Sequence, residues 1–95
     1  MNEVFQALSD PTRREILRLL KTGDMTAGDI AERFALAKST LSGHFSVLKH
    51  SGLIVAEKNG TSVVYSLNVS AAEQALAAVF NLLDVGKPAK KRSRT

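Results

Sequence analysis

The 95-residue chain contains no cysteine, which excludes disulfides, thiolate metal sites and cysteine nucleophiles. No apolar run approaches the roughly 18 to 20 residues that a membrane-spanning helix needs. The N-terminus lacks the basic and then apolar pattern of a secretory signal, so we expect a cytoplasmic protein. With 44% hydrophobic and 23% charged residues, the composition favours a folded globular domain.

Acidic residues are absent from the end of the chain, residues 87–95, where five basic residues are concentrated. Because the whole chain carries a net charge of +4 and this segment carries five positive charges, residues 1–86 carry a net charge of −1. Overall basicity is therefore weak support for nucleic-acid binding, and the position of the remaining charges matters more. We predict a folded domain over residues 1–86 and a basic disordered tail over residues 87–95.

Apolar spacing and capping residues predict four helices in the first half of the chain. These helices are predicted over residues 2–8, 11–21, 27–34 and 38–51. Asp10 and Thr26 are suited to cap the second and third helices, and Pro11 suits a first helical position. Gly52 is suited to end the fourth helix in a left-handed conformation.

A β-hairpin and a last helix follow. Two β-branched and apolar runs, residues 53–58 and 61–67, flank the dipeptide Asn59-Gly60, which tolerates positive φ and favours a tight hairpin turn. Ser70 can cap a last helix that runs to about residue 85. The predicted fold class is therefore mainly α with a small β-hairpin (α+β), in the order α-α-α-α-β-β-α.

The fourth helix has the pattern of a helix that enters the DNA major groove. Leu41, Phe45 and Leu48 form an apolar face at helical spacing. The opposite face carries small polar residues, which let a helix approach base edges although serine and glycine cost helix stability. Residues 38–58 contain three lysines and two histidines against one acid, a modest basic field suited to phosphates. With the preceding helix and the hairpin, this pattern predicts a winged helix-turn-helix.

The first and last helices carry apolar stripes that exceed what one small core requires. We predict that these stripes form the two-fold interface of a homodimer, which would also suit DNA half-sites about 34 Å apart. The predicted interface residues are Val4, Phe5, Leu8, Leu76, Val79, Phe80 and Leu83.

Arg13 and Arg14 lie in the first turn of the second helix, where positive charge opposes the helix dipole. This position calls for a compensating partner, either an acid such as Asp10 or Glu15 or a phosphate. We expect a salt bridge for at least one of the two arginines.

Four segments resemble the ArsR-type winged-helix repressors. They are "ALSDPTRREILRLL" (7–20), "MTAGDIAERF" (25–34), "KSTLSGHFSVLKHSGLI" (38–54) and "KNGTSVVYSL" (58–67). Within that family the resemblance is to the small autorepressors of the sporulation-delay operon type, and it covers residues 1 to about 85. It implies a homodimer that reads an inverted repeat in double-stranded DNA and represses transcription.

The resemblance also implies which residues contact DNA. The fourth helix would present its polar face to the bases, its lysines would reach phosphates, and the wing tip would lie along the flanking backbone. The predicted DNA-binding residues are Lys38, Ser39, Thr40, Ser42, Gly43, His44, Ser46, Lys49, Lys58, Asn59, Gly60 and Thr61. The chain departs from the family pattern at Gly43, where a side chain often reads a base, and at Phe45, where leucine is usual.

We predict no metal site, no cofactor and no enzymatic activity. Many ArsR-type proteins sense metals through cysteines in the third helix or through Asp and His sets in the last helix. Here the third helix has no cysteine, and the last helix has Glu73 and Asp84 but no histidine. The sequence shows no pattern of a catalytic triad, paired catalytic carboxylates or a phosphate loop. The residues do not distinguish between a small-molecule effector and a sequestering membrane protein.

Two other functions remain open at this point. One is a winged-helix protein-interaction module without DNA binding, which predicts bulky apolar or acidic residues on the fourth helix. The other is a non-specific nucleoid-type DNA binder that relies on the basic tail.

Overall fold

The computed structural model describes residues 2–84, which form five helices and three strands. In chain order these are α1 (Asn2–Leu8), α2 (Pro11–Lys21), β1 (Met25–Thr26), α3 (Ala27–Ala31), α4 (Lys38–Ser51), β2 (Ile54–Asn59), β3 (Ser62–Leu67) and α5 (Val69–Leu83). The predicted fold class is confirmed, with one short strand added between α2 and α3. The predicted tail, residues 87–95, lies outside the described residues.

None of the helices in residues 2–84 combines the length and apolar character that a membrane crossing requires.

The start of α2 follows from its capping residue. Asp10 has an extended backbone, and its carboxylate accepts hydrogen bonds from the backbone N–H groups of Thr12 and Arg13 at 2.7 and 3.2 Å. Pro11 occupies the first helical position, where its missing N–H costs nothing. Both sequence predictions are confirmed.

The third helix is shorter than predicted. Thr26 caps α3 as expected, its hydroxyl accepting from the backbone N–H of Asp29 at 3.0 Å, but α3 ends at Ala31 rather than Phe34. The backbone N–H groups of Arg33 and Phe34 bond three residues back, to Ile30 and Ala31, which tightens the chain into a turn. This tightening leaves the Phe34 side chain half-buried, whereas Ile30 is fully buried as predicted.

Two details of the sheet differ from prediction. The strand β1 was not expected; it pairs antiparallel with β3, with Met25 opposite Tyr65, and gives the sheet order β1-β3-β2. The hairpin turn also lies one residue later than predicted, because Asn59 pairs with Ser62 and belongs to β2. Gly60, at φ 66°, and Thr61 therefore form the two-residue turn, and the positive φ falls on the glycine.

The last helix is capped by Asn68 and not by the predicted Ser70. The Asn68 side chain accepts from the backbone N–H of Ala71 at 3.1 Å, so α5 starts at Val69. Asn68 is itself held in place by a backbone hydrogen bond to the Leu53 carbonyl at 2.9 Å. Because of this tertiary contact, the helix starts two residues before the start that a cap at Ser70 would give.

A single core holds α4 against the other elements. The apolar face predicted for α4 is confirmed, since Leu41, Phe45 and Leu48 are all buried. Phe45 stacks on Tyr65 of β3 with ring centroids 4.5 Å apart, which fixes α4 against the sheet. Because one side of α4 is fixed in this way, its other side necessarily faces outward.

Candidate nucleic-acid interface

The outward face of α4 carries the small polar and basic residues predicted to read DNA. Seven of the eight predicted α4 residues are exposed: Lys38, Ser39, Thr40, Ser42, Gly43, Ser46 and Lys49. The same helix contains no acidic residue. This surface therefore offers hydrogen-bonding groups and positive charge and presents no bulky apolar or acidic side chain, which argues against the protein-interaction alternative.

The N-terminus of α4 has no side-chain cap. Its N-cap residue is Ala37, which has the extended backbone of a capping residue but no side chain that can accept a hydrogen bond. The positive end of the helix dipole is therefore left for another acceptor, and Lys38 adds a charge at the same point. A phosphate oxygen has the chemistry that such a terminus accepts.

Gly43 lies in the middle of the outward face. A Cβ atom placed there would meet nothing within 4 Å, so no packing reason requires a glycine at this position. Gly43 is exposed, and a larger side chain at this position would hold the helix backbone further from a partner.

His44 is the exception among the predicted α4 residues, since it is half-buried. Its Nδ1 atom lies 3.1 Å from a terminal guanidinium nitrogen of Arg13 in α2. The ring is therefore held at the junction of α2 and α4 and does not project freely from the surface.

The two arginines in the first turn of α2 differ from expectation. Arg13 donates to the backbone carbonyls of Gln6 and Ala7, each at 2.9 Å, and Arg14 donates to the carbonyl of Leu8 at 2.7 Å. Their partners are thus carbonyl groups at the end of α1 and not an acid, and the Gln6 carbonyl also accepts from the hydroxyl and the backbone N–H of Ser9. The Glu15 side chain instead pairs with Arg18.

Asp10 adds a negative charge close to this arginine. Desolvation raises the pKa of its carboxyl, but the backbone N–H groups of Arg13 and Thr12, together with the attraction of His44 and Arg13, outweigh that effect. The pKa of Asp10 is therefore lowered from its usual value. The carboxylate stays ionised and keeps both capping hydrogen bonds.

The wing is the hairpin of β2 and β3. All four predicted contact residues, Lys58, Asn59, Gly60 and Thr61, are exposed at its tip. Six paired positions hold the hairpin together, and β1 extends the sheet on the other side of β3. The backbone of Lys58 is thus held in a paired strand, and its exposed side chain is carried at the wing tip.

An apolar face lies on α1 and α5. The predicted interface residues Phe5, Leu8, Leu76, Phe80 and Leu83 are exposed, and Val4 and Val79 are half-buried. Apart from Phe80 and Leu83, these residues line an open groove of about 420 Å³ together with Leu17, Ala75 and other α2 and core residues. Arg14, Arg18 and Lys21 of α2 also line the groove.

Leu82 belongs to the same side of α5 and was missed in the sequence analysis. It is 75% exposed and follows Val79 by three residues and Ala75 by seven, which places all three on one helix face. The hydrophobic periodicity of α5 contained this signal, since positions 75, 79 and 82 repeat at helical spacing.

Clusters of three or more His, Cys, Asp or Glu side chains suited to a metal ion are absent from residues 2–84.

Comparison with known proteins matches the sequence of this chain to one family. The family model described as bacterial regulatory protein, arsR family, matches residues 10–55, from the cap of α2 into β2. The chain is 46% identical over 86 residues to the transcriptional repressor SdpR of Bacillus subtilis (strain 168), covering 90% of this chain and 96% of that protein. It is 40% identical over 68 residues to the arsenical resistance operon repressor of Staphylococcus xylosus, covering 72% and 65% of the two chains.

A solved structure shows the same fold. The ArsR-like transcriptional regulator from Rhodococcus sp. RHA1 superposes with a TM-score of 0.77 at 28% identity, over 85% of this chain and 76% of that one. The sequence identity, the order of elements and the exposed polar face of α4 all point to the same family. The chain belongs to the ArsR family of bacterial regulatory proteins and is a winged-helix, DNA-binding transcriptional repressor rather than an enzyme.

Proposed function

We propose that this protein is a homodimeric repressor that reads an inverted-repeat operator, with α4 in the major groove and the wing along the flanking backbone. The observation that carries the proposal is the outward face of α4, which is exposed, free of acid and built from small polar and basic residues. Small side chains let the helix approach base edges closely, and hydroxyl groups can donate to or accept from them.

Contacts to the DNA backbone would surround this reading face. Lys38 and the uncapped N-terminus of α4 lie at one end of the helix, and Lys49 lies near the other. Lys58 is carried by the wing. Such contacts fix the register of a protein on the duplex, whereas base-edge contacts supply sequence preference.

The two-fold arrangement rests on the apolar face of α1 and α5. Monomeric proteins rarely expose a contiguous apolar face of this kind, and a second copy would cover it isologously. A dimer would place two α4 helices on one side of the DNA, which suits an operator with two related half-sites.

The decisive experiment measures the DNA preference of the full chain. Fluorescence anisotropy would follow binding to the promoter region of its own gene, with scrambled DNA as competitor, at two salt concentrations. A preference of about a thousandfold for the promoter supports a sequence-specific repressor. Equal, strongly salt-dependent binding to both DNAs would contradict it and favour the non-specific binder.

A matched pair of serine variants locates the reading face. Ser42→Ala removes a hydroxyl from the outward face of α4, and Ser70→Ala removes one from an exposed position on α5. We expect Ser42→Ala to weaken promoter binding by roughly tenfold, the value of one base contact. Ser70→Ala should leave binding unchanged; equal effects of the two variants would argue against reading by α4.

A further inference from the structure

The guanidinium group of Arg13 joins α1, α2 and α4. Its Nε atom and one terminal nitrogen donate to the carbonyls of Ala7 and Gln6, and its other terminal nitrogen lies 3.1 Å from Nδ1 of His44. A guanidinium can only donate hydrogen bonds, so Nδ1 is the acceptor in this contact. A neutral imidazole that accepts at Nδ1 carries its proton on Nε2.

The contact therefore decides what His44 offers to a partner. With Nδ1 occupied, the remaining polar atom of the ring is Nε2–H, which is a donor and cannot accept. His44 lies between Gly43 and the buried Phe45 on α4, and it is half-buried, so its ring position depends on its neighbours.

We propose that Arg13 is a positioning residue for DNA recognition, which acts by holding His44 as an Nε2–H donor toward an acceptor atom on DNA. The inference rests on the proposed function of α4. The acceptor is either a base-edge atom, such as guanine O6 or N7, or a phosphate oxygen. Since Arg13 also binds the end of α1, the same guanidinium connects the reading helix to a helix of the apolar face.

A purely structural role for Arg13 is the competing explanation, because capping the carbonyls of α1 stabilises the fold whatever His44 does. Arg14 provides a matched control. It follows Arg13 directly in α2, donates to the α1 carbonyl of Leu8 at 2.7 Å, and has no hydrogen bond to His44 among those of residues 2–84. A capping role is shared by both arginines, and only Arg13 has the histidine contact.

A double-mutant cycle on the full chain separates the two roles. Operator affinity would be measured for Arg13→Lys, His44→Ala, the double variant and Arg14→Lys, with unfolding and sedimentation checked for each. We expect Arg13→Lys and His44→Ala each to lose about tenfold. Because Arg14 also lines the apolar groove, its variant is compared as affinity per dimer, with the dimer fraction taken from sedimentation, and on that basis Arg14→Lys should lose less than about twofold. The double variant should bind no more weakly than His44→Ala alone, because Arg13 acts through His44.

Measuring the same variants on scrambled DNA identifies the DNA atom that accepts from His44. A base-edge acceptor confines the loss to the operator. A phosphate acceptor weakens binding to both DNAs alike and leaves the salt slope unchanged, because a neutral imidazole displaces no counterion. Additive losses in the cycle, or equal losses for Arg13→Lys and Arg14→Lys, would overturn the inference.

Nitrogen-15 NMR of the imidazole rings tests the tautomer without any variant. We expect neutral His44 to carry its proton on Nε2, with the exposed His50 of the same helix as internal reference. A proton on Nδ1 of His44 overturns the inference directly. If the wild-type protein shows no operator preference, the proposed function fails instead, and the NMR result still reports on the Arg13 contact.

Discussion

At the scale of single residues, Gly43 on the outward face of α4 lowers the stability of the helix. A glycine in the interior of an exposed helix is less favourable than alanine by roughly 1 kcal/mol, and no neighbouring atom requires it here. A local cost without a packing benefit indicates a functional reason. Close approach of the helix backbone to DNA would supply that reason.

Substitution of Gly43 separates stability from recognition. Gly43→Ala should raise the free energy of unfolding by roughly 1 kcal/mol, since the new methyl group meets no other atom within 4 Å. Urea denaturation measures this change. Gly52→Ala is the control and should destabilise the protein, because Gly52 ends α4 at φ 84°, where a Cβ atom is strained. Gly43→Gln should keep the fold but change the preferred operator in a binding selection.

Asp10 should make stability depend on acid pH. Its pKa in the folded chain is lowered from the usual 3.8, so its stabilisation is present above that value and is lost as the pH falls through the lowered pKa. Asp10→Asn retains an oxygen acceptor for the cap but has no charge. Urea denaturation between about pH 2 and pH 6 should show a shallower acid decline for this variant than for the wild type. If stability falls equally in the variant and the wild type, other carboxylates such as Glu3 account for the acid dependence.

At the scale of elements, the N-terminus of α4 lacks a side-chain cap at the place where we propose a phosphate contact. Ala37 has the backbone of an N-cap residue, and α4 therefore lacks a hydrogen bond that serine would provide. By contrast, side chains cap α2, α3 and α5. The reading helix alone among these four leaves its first N–H groups to an external acceptor.

Capping this terminus should stabilise the fold and interfere with DNA binding. Ala37→Ser should raise the free energy of unfolding by about 1 kcal/mol, and Ala37→Asp should do at least as well because a negative charge also favours the helix dipole. Ala37→Asp should nevertheless weaken operator binding, since its carboxylate repels a phosphate at the same place. Ala37→Ser is the uncharged control. Undiminished binding by Ala37→Asp would show that no phosphate lies at this terminus.

The local signals in the sequence predicted most elements correctly because each depends on neighbouring residues. Asp10 before Pro11, and Gly52 after the last apolar position of α4, act within one turn of the chain. The early end of α3 and the one-residue shift of the hairpin turn are local errors, whereas other errors arose where distant contacts decide the structure. β1 exists because Met25 pairs with Tyr65, and α5 starts early because Asn68 is tied to Leu53. The Arg13–His44 contact joins residues 31 positions apart and has no signal in local spacing.

At the scale of the whole molecule, the positions of charged and apolar groups divide the surface by function. All of the predicted DNA contacts lie on α4 and the wing, whereas the exposed apolar residues of α5 (Leu76, Phe80, Leu82 and Leu83) cluster with the apolar residues of α1. Residues 1–86 are near neutral, so the proposed DNA contact depends on where a few cations lie and not on overall charge. Which residues share a face of α5 was predictable from periodicity; the groove they form with α2 was not.

The apolar face predicts how dimerisation responds to substitution. Leu76 is 55% exposed on α5, and Leu36 is 42% exposed in the turn before α4, so the two leucines differ mainly in location. Leu76→Gln should weaken the dimer by about a hundredfold or more, because each buried leucine contributes about 1.5–3 kcal/mol and a two-fold interface loses it twice. Sedimentation equilibrium should show this shift for Leu76→Gln and no shift for Leu36→Gln.

The same variant links the apolar face to operator reading. If two α4 helices bind related half-sites, Leu76→Gln should lose affinity for the full operator while keeping the weak affinity of one α4 for a single half-site. The loss should diminish as protein concentration rises, since mass action restores the dimer. Anisotropy titrations on full and half-site DNA would measure both effects. Equal affinity of the wild type for full and half-site DNA would instead mean that each protomer binds alone, and that the apolar face of α1 and α5 serves a partner other than a second copy.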